Sequence, residues 1–195
     1  MNERYAEAIQ RFQTLLARAM QTDLPEPTAM TLATTDASGR PSVRTILLKG
    51  IDERGFVFYT NTLSRKGEEL ASSPRAALCF YWQPLKEQVT IEGRVEGVTP
   101  DEADAYWASR PRESQIGGWA SHQSEPLDAR DTLMQRFERY ETRYAGRAVP
   151  RPAHWSGYRV VPERIEFWTA GAHRLHHRVL YDGGEQGWQV TLLNP

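Results

Sequence analysis

Residues 29–61 read Ala29-Met30-Thr31-Leu32-Ala33-Thr34-Thr35, Asp36-Ala37-Ser38-Gly39, Arg40-Pro41-Ser42-Val43-Arg44-Thr45-Ile46-Leu47-Leu48-Lys49, Gly50-Ile51-Asp52-Glu53-Arg54 and Gly55-Phe56-Val57-Phe58-Tyr59-Thr60-Asn61. Three runs rich in β-branched and aromatic residues, 29–35, 42–49 and 55–61, are separated by two turn signals, Asp36 to Gly39 and Asp52 to Gly55. Links this short join antiparallel strands, because a parallel pair needs a long crossover. The chain is therefore expected to be mainly β.

The rest of the sequence extends this pattern. Before it, Tyr5, Ile9, Phe12, Leu16 and Met20 recur at three- or four-residue steps and predict an amphipathic helix over 3–20, ended by Pro25 and Pro27. After it come a short helix over 64–72 and strands over 76–82 and 87–98. Thr99-Pro100-Asp101-Glu102 has the form of a capping box with proline at the first helical position. A further helix is expected over 128–144, with Leu133, Phe137, Tyr140 and Tyr144 on one stripe. Val149-Pro150-Arg151-Pro152 is a stiff connector, and strands near 157–162, 164–169, 174–181 and 188–193 close the chain. About eight short strands with interposed helices predict an antiparallel β-barrel with peripheral helices, in a single domain over 1–195.

Composition narrows the functions. A net charge of −1 supplies no field for nucleic acid or an anionic membrane surface. Of 24 cationic residues only Lys49, Lys66 and Lys86 are lysines. Cys79 is the one cysteine and lies in an apolar run, as a small core residue would. There is no signal-peptide pattern and no apolar run of spanning length, so a cytoplasmic setting is expected. His173, His176 and His177 cluster, but no second Cys or His group stands at ligand spacing, and no metal is expected.

Four segments carry groups suited to an anionic ligand. In a strand over 42–49, Arg44, Ile46 and Leu48 would share one face, and Thr45, Leu47 and Lys49 the other. Ser64-Arg65-Lys66 opens a helix, where free N–H groups, the helix dipole and two cations converge; it is equally the pattern of an ordinary capped helix start. Tyr106, Arg110 and Ser114 are four residues apart, so one helical face would present all three, with a kink or restart at Pro111. In Arg174-Leu175-His176-His177-Arg178, a strand would project Arg174, His176 and Arg178 from one face, beside Trp168. A solvated surface accounts for each of these segments taken alone. No glycine-rich phosphate fingerprint is present, so side chains must hold any phosphate.

Taken in order, Arg44-Thr45-Ile46-Leu47-Leu48-Lys49, Phe58-Tyr59-Thr60-Asn61, Ser64-Arg65-Lys66, Gln88-Val89, Ser109-Arg110-Pro111, Ser114-Gln115-Ile116-Gly117, Gln123-Ser124, Glu166-Phe167-Trp168 and Arg174-Leu175-His176 closely resemble the pyridoxamine 5'-phosphate oxidase family. The resemblance covers residues 12–195. It implies an FMN-binding split β-barrel, a homodimer with two FMN sites across the subunit interface, and oxidation of pyridoxamine 5'-phosphate and pyridoxine 5'-phosphate to pyridoxal 5'-phosphate. Oxygen is the implied acceptor and hydrogen peroxide the by-product.

The resemblance also implies roles. Residues Arg44 to Lys49, with Tyr59, Thr60, Arg65 and Lys66, hold FMN, its phosphate falling to Arg44, Arg65 and Lys66. Gln88 meets the flavin edge. Gln123 and Ser124 are expected from the partner subunit, completed by Trp168 and Arg178. Lys49, Tyr106, Arg110 and Ser114 clamp the substrate phosphate. Arg174, Leu175 and His176 contact the substrate, with Arg174 and His176 as the catalytic pair that orients C4' for hydride transfer to the flavin, a step that needs reacting atoms about 3–3.5 Å apart.

The sequence departs from the family pattern at His177, in a usually acidic place, and at Thr169-Ala170, Ser156, Glu87 and Leu192. It also lacks the basic N-terminal segment that forms part of a substrate lid in several relatives. Two other readings stay open: a sister FMN oxidase acting on a phenazine precursor or another small aromatic, and a non-catalytic flavin- or haem-binding split barrel. Only the first reading has a use for a second phosphate clamp.

Overall fold

In a computed structural model that describes residues 2–195, the expected hairpin region is present. Strand β1 spans Ala29–Thr35, β2 Pro41–Leu47 and β4 Gly55–Asn61, all antiparallel to their neighbours. The turn after β1 closes because the Asp36 carboxylate accepts from the N–H groups of Ser38 and Arg40, and Gly39 takes the left-handed conformation the turn requires (φ +82°). A three-residue strand, β3 (Gly50–Asp52), pairs with β4 where a plain loop was expected.

The remaining strands are β5 (Arg75–Trp82), β6 (Glu87–Gly97), β7 (Trp155–Thr169), β8 (His177–Gly184) and β9 (Gly187–Leu193). The sheet order is β2-β1-β5-β6-β7-β4-β3, with β8 and β9 continuing from β7. The result is a nine-stranded antiparallel sheet curled into a half-barrel.

Two expected strands, 157–162 and 164–169, are one. Pro162 does not end β7, because it sits where the register against β6 shifts between Glu92 and Gly93. At this bulge Glu163 is the residue left without a partner on β6, and the local break in the ladder accommodates a neighbour that has no N–H. The length of β7 lets it pair with β4, β6 and β8.

Helix α1 (Glu3–Ala19) covers the open side of the sheet. Its buried stripe is Tyr5, Ala8, Ile9, Phe12, Leu15 and Ala19, so Met20 falls off the face and is exposed. Phe12 packs edge-on against Phe56 and Phe80. Cys79 is half-buried at the margin of this core. A second, smaller core joins Trp107, Ile116, Tyr144, Val149 and Trp155 beneath helices α3 (Pro100–Ser109), α4 (Arg112–Ala120) and α5 (Arg130–Arg143). Trp107 Nε1 donates to the Val149 carbonyl at 2.8 Å and ties that layer to the proline-rich connector.

The capping box forms as its sequence dictates, with Thr99 and Glu102 each bonding the other's backbone N–H. Glu102 has a second task. Arg159 of β7 is 2% exposed and donates to Glu102 at 2.6 Å and to Asp52 at 3.2 Å. The Thr99 N–H and Arg159, against the cost of burial, hold the Glu102 carboxyl at about 2. This cluster fastens α3 to the barrel. Arg159→Ala should lower unfolding stability by about 2–3 kcal/mol, less than a fully buried pair because the acids reach water. Urea unfolding of the variant checks this; a midpoint equal to that of the wild type would show that α3 is held by packing alone.

Candidate active site

Between β2, the start of helix α2 (Arg65–Ser72) and the α3–α4 layer lies a cavity of about 800 Å³. Its wall gathers residues from distant parts of the chain: Arg44, Thr45, Ile46, Leu47 and Lys49; Tyr59 and Thr60; Arg65 and Lys66; Tyr106, Arg110 and Ser114; and Gln123 and Ser124. Five cations face it, and among the described residues lining it there is no carboxylate.

Both faces of the 42–49 segment contribute, so the expected division by alternation does not govern the site. The reason is that β2 is an edge strand, open to the cavity along its side. Leu48 is the exception: it turns into the main core and is not part of the wall.

One part of the wall is a hydrogen-bonded group of cations. Ser64 caps α2 by position, yet its hydroxyl does not bond the helix N–H groups; it donates to the Asn61 carbonyl and accepts from Lys66 Nζ at 2.9 Å. Lys66 Nζ also donates to Thr60 and to Gln123 Oε1, each at 3.2 Å. Burial, and next the charge of Arg44, bring the Lys66 ammonium down to about 8. Arg65 donates its backbone N–H to Ser124 Oγ at 3.1 Å. Gln123 and Ser124, expected to arrive from a partner subunit, thus line the same chain's cavity, because the segment after α4 returns to the start of α2.

The other part is aromatic. Tyr59, Tyr106 and Trp155 lie nearly parallel, with ring centroids 4.0 Å apart for the two tyrosines and 5.6 Å for Tyr59 and Trp155. The Arg110 guanidinium sits 4.7 Å from the Trp155 ring. Its Nη1 is buried without a hydrogen-bond partner, an arrangement that costs about 1–3 kcal/mol until an acceptor arrives. Tyr106, Arg110 and Ser114 do converge, although not on one helix. Arg110 ends α3 in an extended conformation and Pro111 begins the turn into α4, so the three reach the cavity from two helices and the joint between them.

Gln88, Trp168, Arg174, Leu175, His176 and Arg178 do not line this cavity. They gather at another place, where Gln88 of β6 pairs with Trp168 of β7 and Trp168 with Arg178 of β8. The expected strand face of Arg174, His176 and Arg178 is absent. Residues 172–174 form a 3-10 turn, and β8 begins only at His177. His173 and Arg174 take left-handed backbone conformations, φ 55° and 63°. The turn closes so tightly that a Cβ on Gly171 would lie 1.8 Å from the Leu175 carbonyl oxygen. Leu175 is therefore thrust into solvent, and His176 turns back to lie 4.6 Å from the Trp168 ring, its Nδ1 accepting from the Gly171 N–H.

The departures from the family pattern find partners. Thr169 Oγ1 donates to Glu87 Oε2 at 2.7 Å, so two of the unusual residues meet each other. Arg178 is gripped by both oxygens of Glu166, at 2.7 and 3.0 Å, and by the Asn194 carbonyl, which leaves its direction independent of His177.

The sequence pattern assigns no role to Ser42, Val43, Asn61, Gly117, Gly118, Ser121 and Trp155 of the wall. Ser42 was legible as the i−2 neighbour of Arg44 on one strand face; Trp155 carried no local signal.

Comparison with known proteins identifies relatives over nearly the whole chain. The sequence model described as Pyridoxamine 5'-phosphate oxidase matches residues 16–144, and that of the Pyridoxine 5'-phosphate oxidase C-terminal dimerisation region matches residues 155–195. The chain is 60% identical to a pyridoxine/pyridoxamine 5'-phosphate oxidase of Alkalilimnicola ehrlichii, covering 97% of both, and 57% identical to one of Myxococcus xanthus, covering 97% of this chain and 92% of that one. Among solved structures, PhzG of Burkholderia lata in complex with tetrahydrophenazine-1-carboxylic acid superposes with a TM-score of 0.92 at 34% identity, over 100% of this chain and 98% of that one. An FMN-binding protein of Nostoc punctiforme, 18% identical with a TM-score of 0.74 over 94% of this chain and 97% of that one, shares the fold. With matches spanning nearly its whole length, the chain belongs to the pyridoxamine 5'-phosphate oxidase family.

Proposed function

We infer that the protein is an FMN-dependent oxidase that converts pyridoxamine 5'-phosphate and pyridoxine 5'-phosphate to pyridoxal 5'-phosphate, with oxygen as acceptor. The observation that carries this reading is a single cavity with two separate sets of anion-binding groups. One is the bonded group of Arg44, Arg65, Lys66 and Thr60. The other is Arg110, with its unpartnered Nη1, beside Tyr106, Ser114 and Lys49. Two phosphate-bearing ligands, cofactor and substrate, use both sets; a carrier of flavin alone uses one.

FMN fits the first set by the chemistry of its donors. Guanidinium forks, a compact ammonium and a hydroxyl match phosphate oxygens, and no lining carboxylate opposes them. The chemistry FMN supplies, when bound, is two-electron oxidation of the substrate C4' and release of the electrons to oxygen as hydrogen peroxide. The chain's own part is to bind and orient. Lys49, Tyr106, Arg110 and Ser114 take the substrate phosphate, and this remote binding energy fixes the reacting end of the molecule.

Arg174 and His176 are the residues assigned to that reacting end, with Leu175 beside them. Their place outside the chain's own cavity, together with Gln88, Trp168 and Arg178, supports a homodimer in which this cluster completes the partner's site. The match of residues 155–195 to a dimerisation region supports the same assembly, as does the exposure of Leu175 and Leu192 at that end.

A phenazine-type substrate is the second reading, favoured by the likeness to PhzG. The higher identity to the B6-phosphate oxidases and the phosphate clamp argue against it. Among the described residues no helix is long and apolar enough to cross a membrane, and a cytoplasmic setting is part of this proposal. The test is to offer the FMN-loaded protein pyridoxine 5'-phosphate and pyridoxamine 5'-phosphate separately. Pyridoxal 5'-phosphate and peroxide should form together. Absence of product from both, with turnover of a dihydrophenazine acid, would replace this reading by the second.

A further inference from the structure

One buried charge beside the cavity has no role in the function described above. Glu69 of α2 is 4% exposed. Its Oε2 accepts from Thr34 Oγ1 at 2.5 Å, Ser42 Oγ at 2.6 Å and Arg44 Nη2 at 3.0 Å, and its Oε1 accepts from Arg65 Nε at 2.8 Å. The donors belong to β1, β2 and α2, so one carboxylate ties three elements together behind the cavity wall. Arg44 is anchored further by the Leu32 carbonyl at 3.2 Å and by the hydroxyls of Thr34 and Ser42.

An anion so close to a phosphate site is unfavourable by simple repulsion. It is retained against that cost and against the cost of burial, and its four hydrogen bonds hold its carboxyl at about 2. The wall explains why. Arg44, Arg65 and Lys66 share it, and these three cations repel one another. Among the charges acting on Lys66, Arg44 favours loss of its proton and Glu69 opposes it.

We propose that Glu69 is a positioning residue for the cofactor phosphate site: it holds Arg44 and Arg65 against the cavity wall and offsets the charge they impose on Lys66. The inference rests on the FMN reading above. It predicts both a loss of geometry and a change in pH response when the carboxylate is removed. The charged groups around Lys66 are Arg65 and Glu69 on its own helix and Arg44 on β2. β4 and the segment after α4 present only the neutral Thr60 and Gln123. Lys49, Arg110 and the two tyrosines, Tyr59 and Tyr106, line the same cavity.

The test is titration of FMN into apoprotein, followed by quenching of flavin fluorescence, between about pH 7 and about pH 9.5, the range in which Lys66 titrates and the phosphate does not. Glu69→Gln keeps the shape and removes the charge. It should weaken FMN binding at neutral pH by roughly tenfold or more, and the alkaline loss of affinity should begin at lower pH than in the wild type. Glu69→Asp keeps the charge but retracts it; it should weaken binding while the alkaline limb stays at its wild-type position. FMN binding by Glu69→Gln that equals or exceeds the wild type, or that weakens with the alkaline limb unmoved, overturns the inference. If Glu69→Gln does not fold, Glu69→Asp decides, and wild-type affinity in it is the overturning result. A wild-type protein that takes up no FMN overturns the cofactor reading, and this inference with it.

Discussion

Arg110→Ala should weaken binding of pyridoxine 5'-phosphate by roughly ten- to hundredfold while FMN content stays at the wild-type level. A hydrogen bond to a charged group contributes about 1.5–3 kcal/mol, which converts to that range. The structure adds a second expectation, of different sign. Arg110 Nη1 is buried and without a hydrogen-bond partner in the chain, and burial disfavours its charged form. Removing it relieves that cost, about 1–3 kcal/mol. Against this stands the loss of its contacts with the Trp107 and Trp155 rings, about 0.5–2 kcal/mol. The thermal midpoint should therefore stay near that of the wild type while substrate affinity collapses. A residue that served only the small core would show the opposite pattern. Substrate titration and the flavin absorbance of the purified variant measure both quantities. A variant that loses FMN and keeps its substrate affinity would show that the two phosphate sites are interchanged.

The other large effect is expected at Gly67. Its position in the first turn of α2 brings the helix backbone against Thr62: an added Cβ would lie 2.1 Å from the Thr62 carbonyl oxygen and 2.5 Å from its carbon. Thr62 has no freedom to retreat, because its N–H and its hydroxyl both donate to the His154 carbonyl, at 2.7 and 3.0 Å. In Gly67→Ala the helix itself must shift, carrying Arg65, Lys66 and Glu69 with it. Overpacking of this kind costs up to about 3 kcal/mol, and where it is spent on the phosphate site it lowers FMN affinity on the order of a hundredfold. Gly97→Ala is the control, since a Cβ there meets nothing within 4 Å. Circular dichroism establishes that the variants are folded, and FMN titration measures the effect. Retention of FMN by Gly67→Ala at wild-type affinity would mean that α2 does not set the phosphate site.

Much of the site was legible because its residues stand in local patterns. The strand over 55–61 and the strand over 29–35 have the predicted bounds, since their turn residues and alternation are complete within the segment. The capping box at Thr99 is likewise a four-residue affair. Glu69 could have been found as the i+4 partner of Arg65, a spacing that brings side chains together on any helix. Arg159 could not, because its acidic partners, Asp52, Glu96 and Glu102, come from other parts of the chain.

The expectations that failed are those in which a tertiary contact overrode a local rule. Arg174, His176 and Arg178 alternate as a strand would, but a backbone contact at Gly171 folds their segment into a turn. The strands expected over 157–162 and 164–169 run on as one, because β7 itself bulges at Glu163, next to Pro162. The restart expected at Pro111 does occur, and it divides Tyr106, Arg110 and Ser114 between two helices.

By itself, the sequence determined the class of the fold, the antiparallel connectivity of its first strands, the helix starts and which side chains have the chemistry to bind an anion, because these depend on short-range periodicity and on side-chain chemistry. Only the tertiary structure decided which of those groups share a cavity: it brought Gln123 and Ser124 to Lys66, left Arg110 Nη1 buried and unpaired, and set Arg174 and His176 apart from the cationic wall. The physical reason is that period and charge are properties of neighbouring residues. Burial, hydrogen-bond satisfaction and the exclusion of a Cβ by a distant carbonyl depend instead on segments that meet only when the sheet has curled and the helices have closed over it.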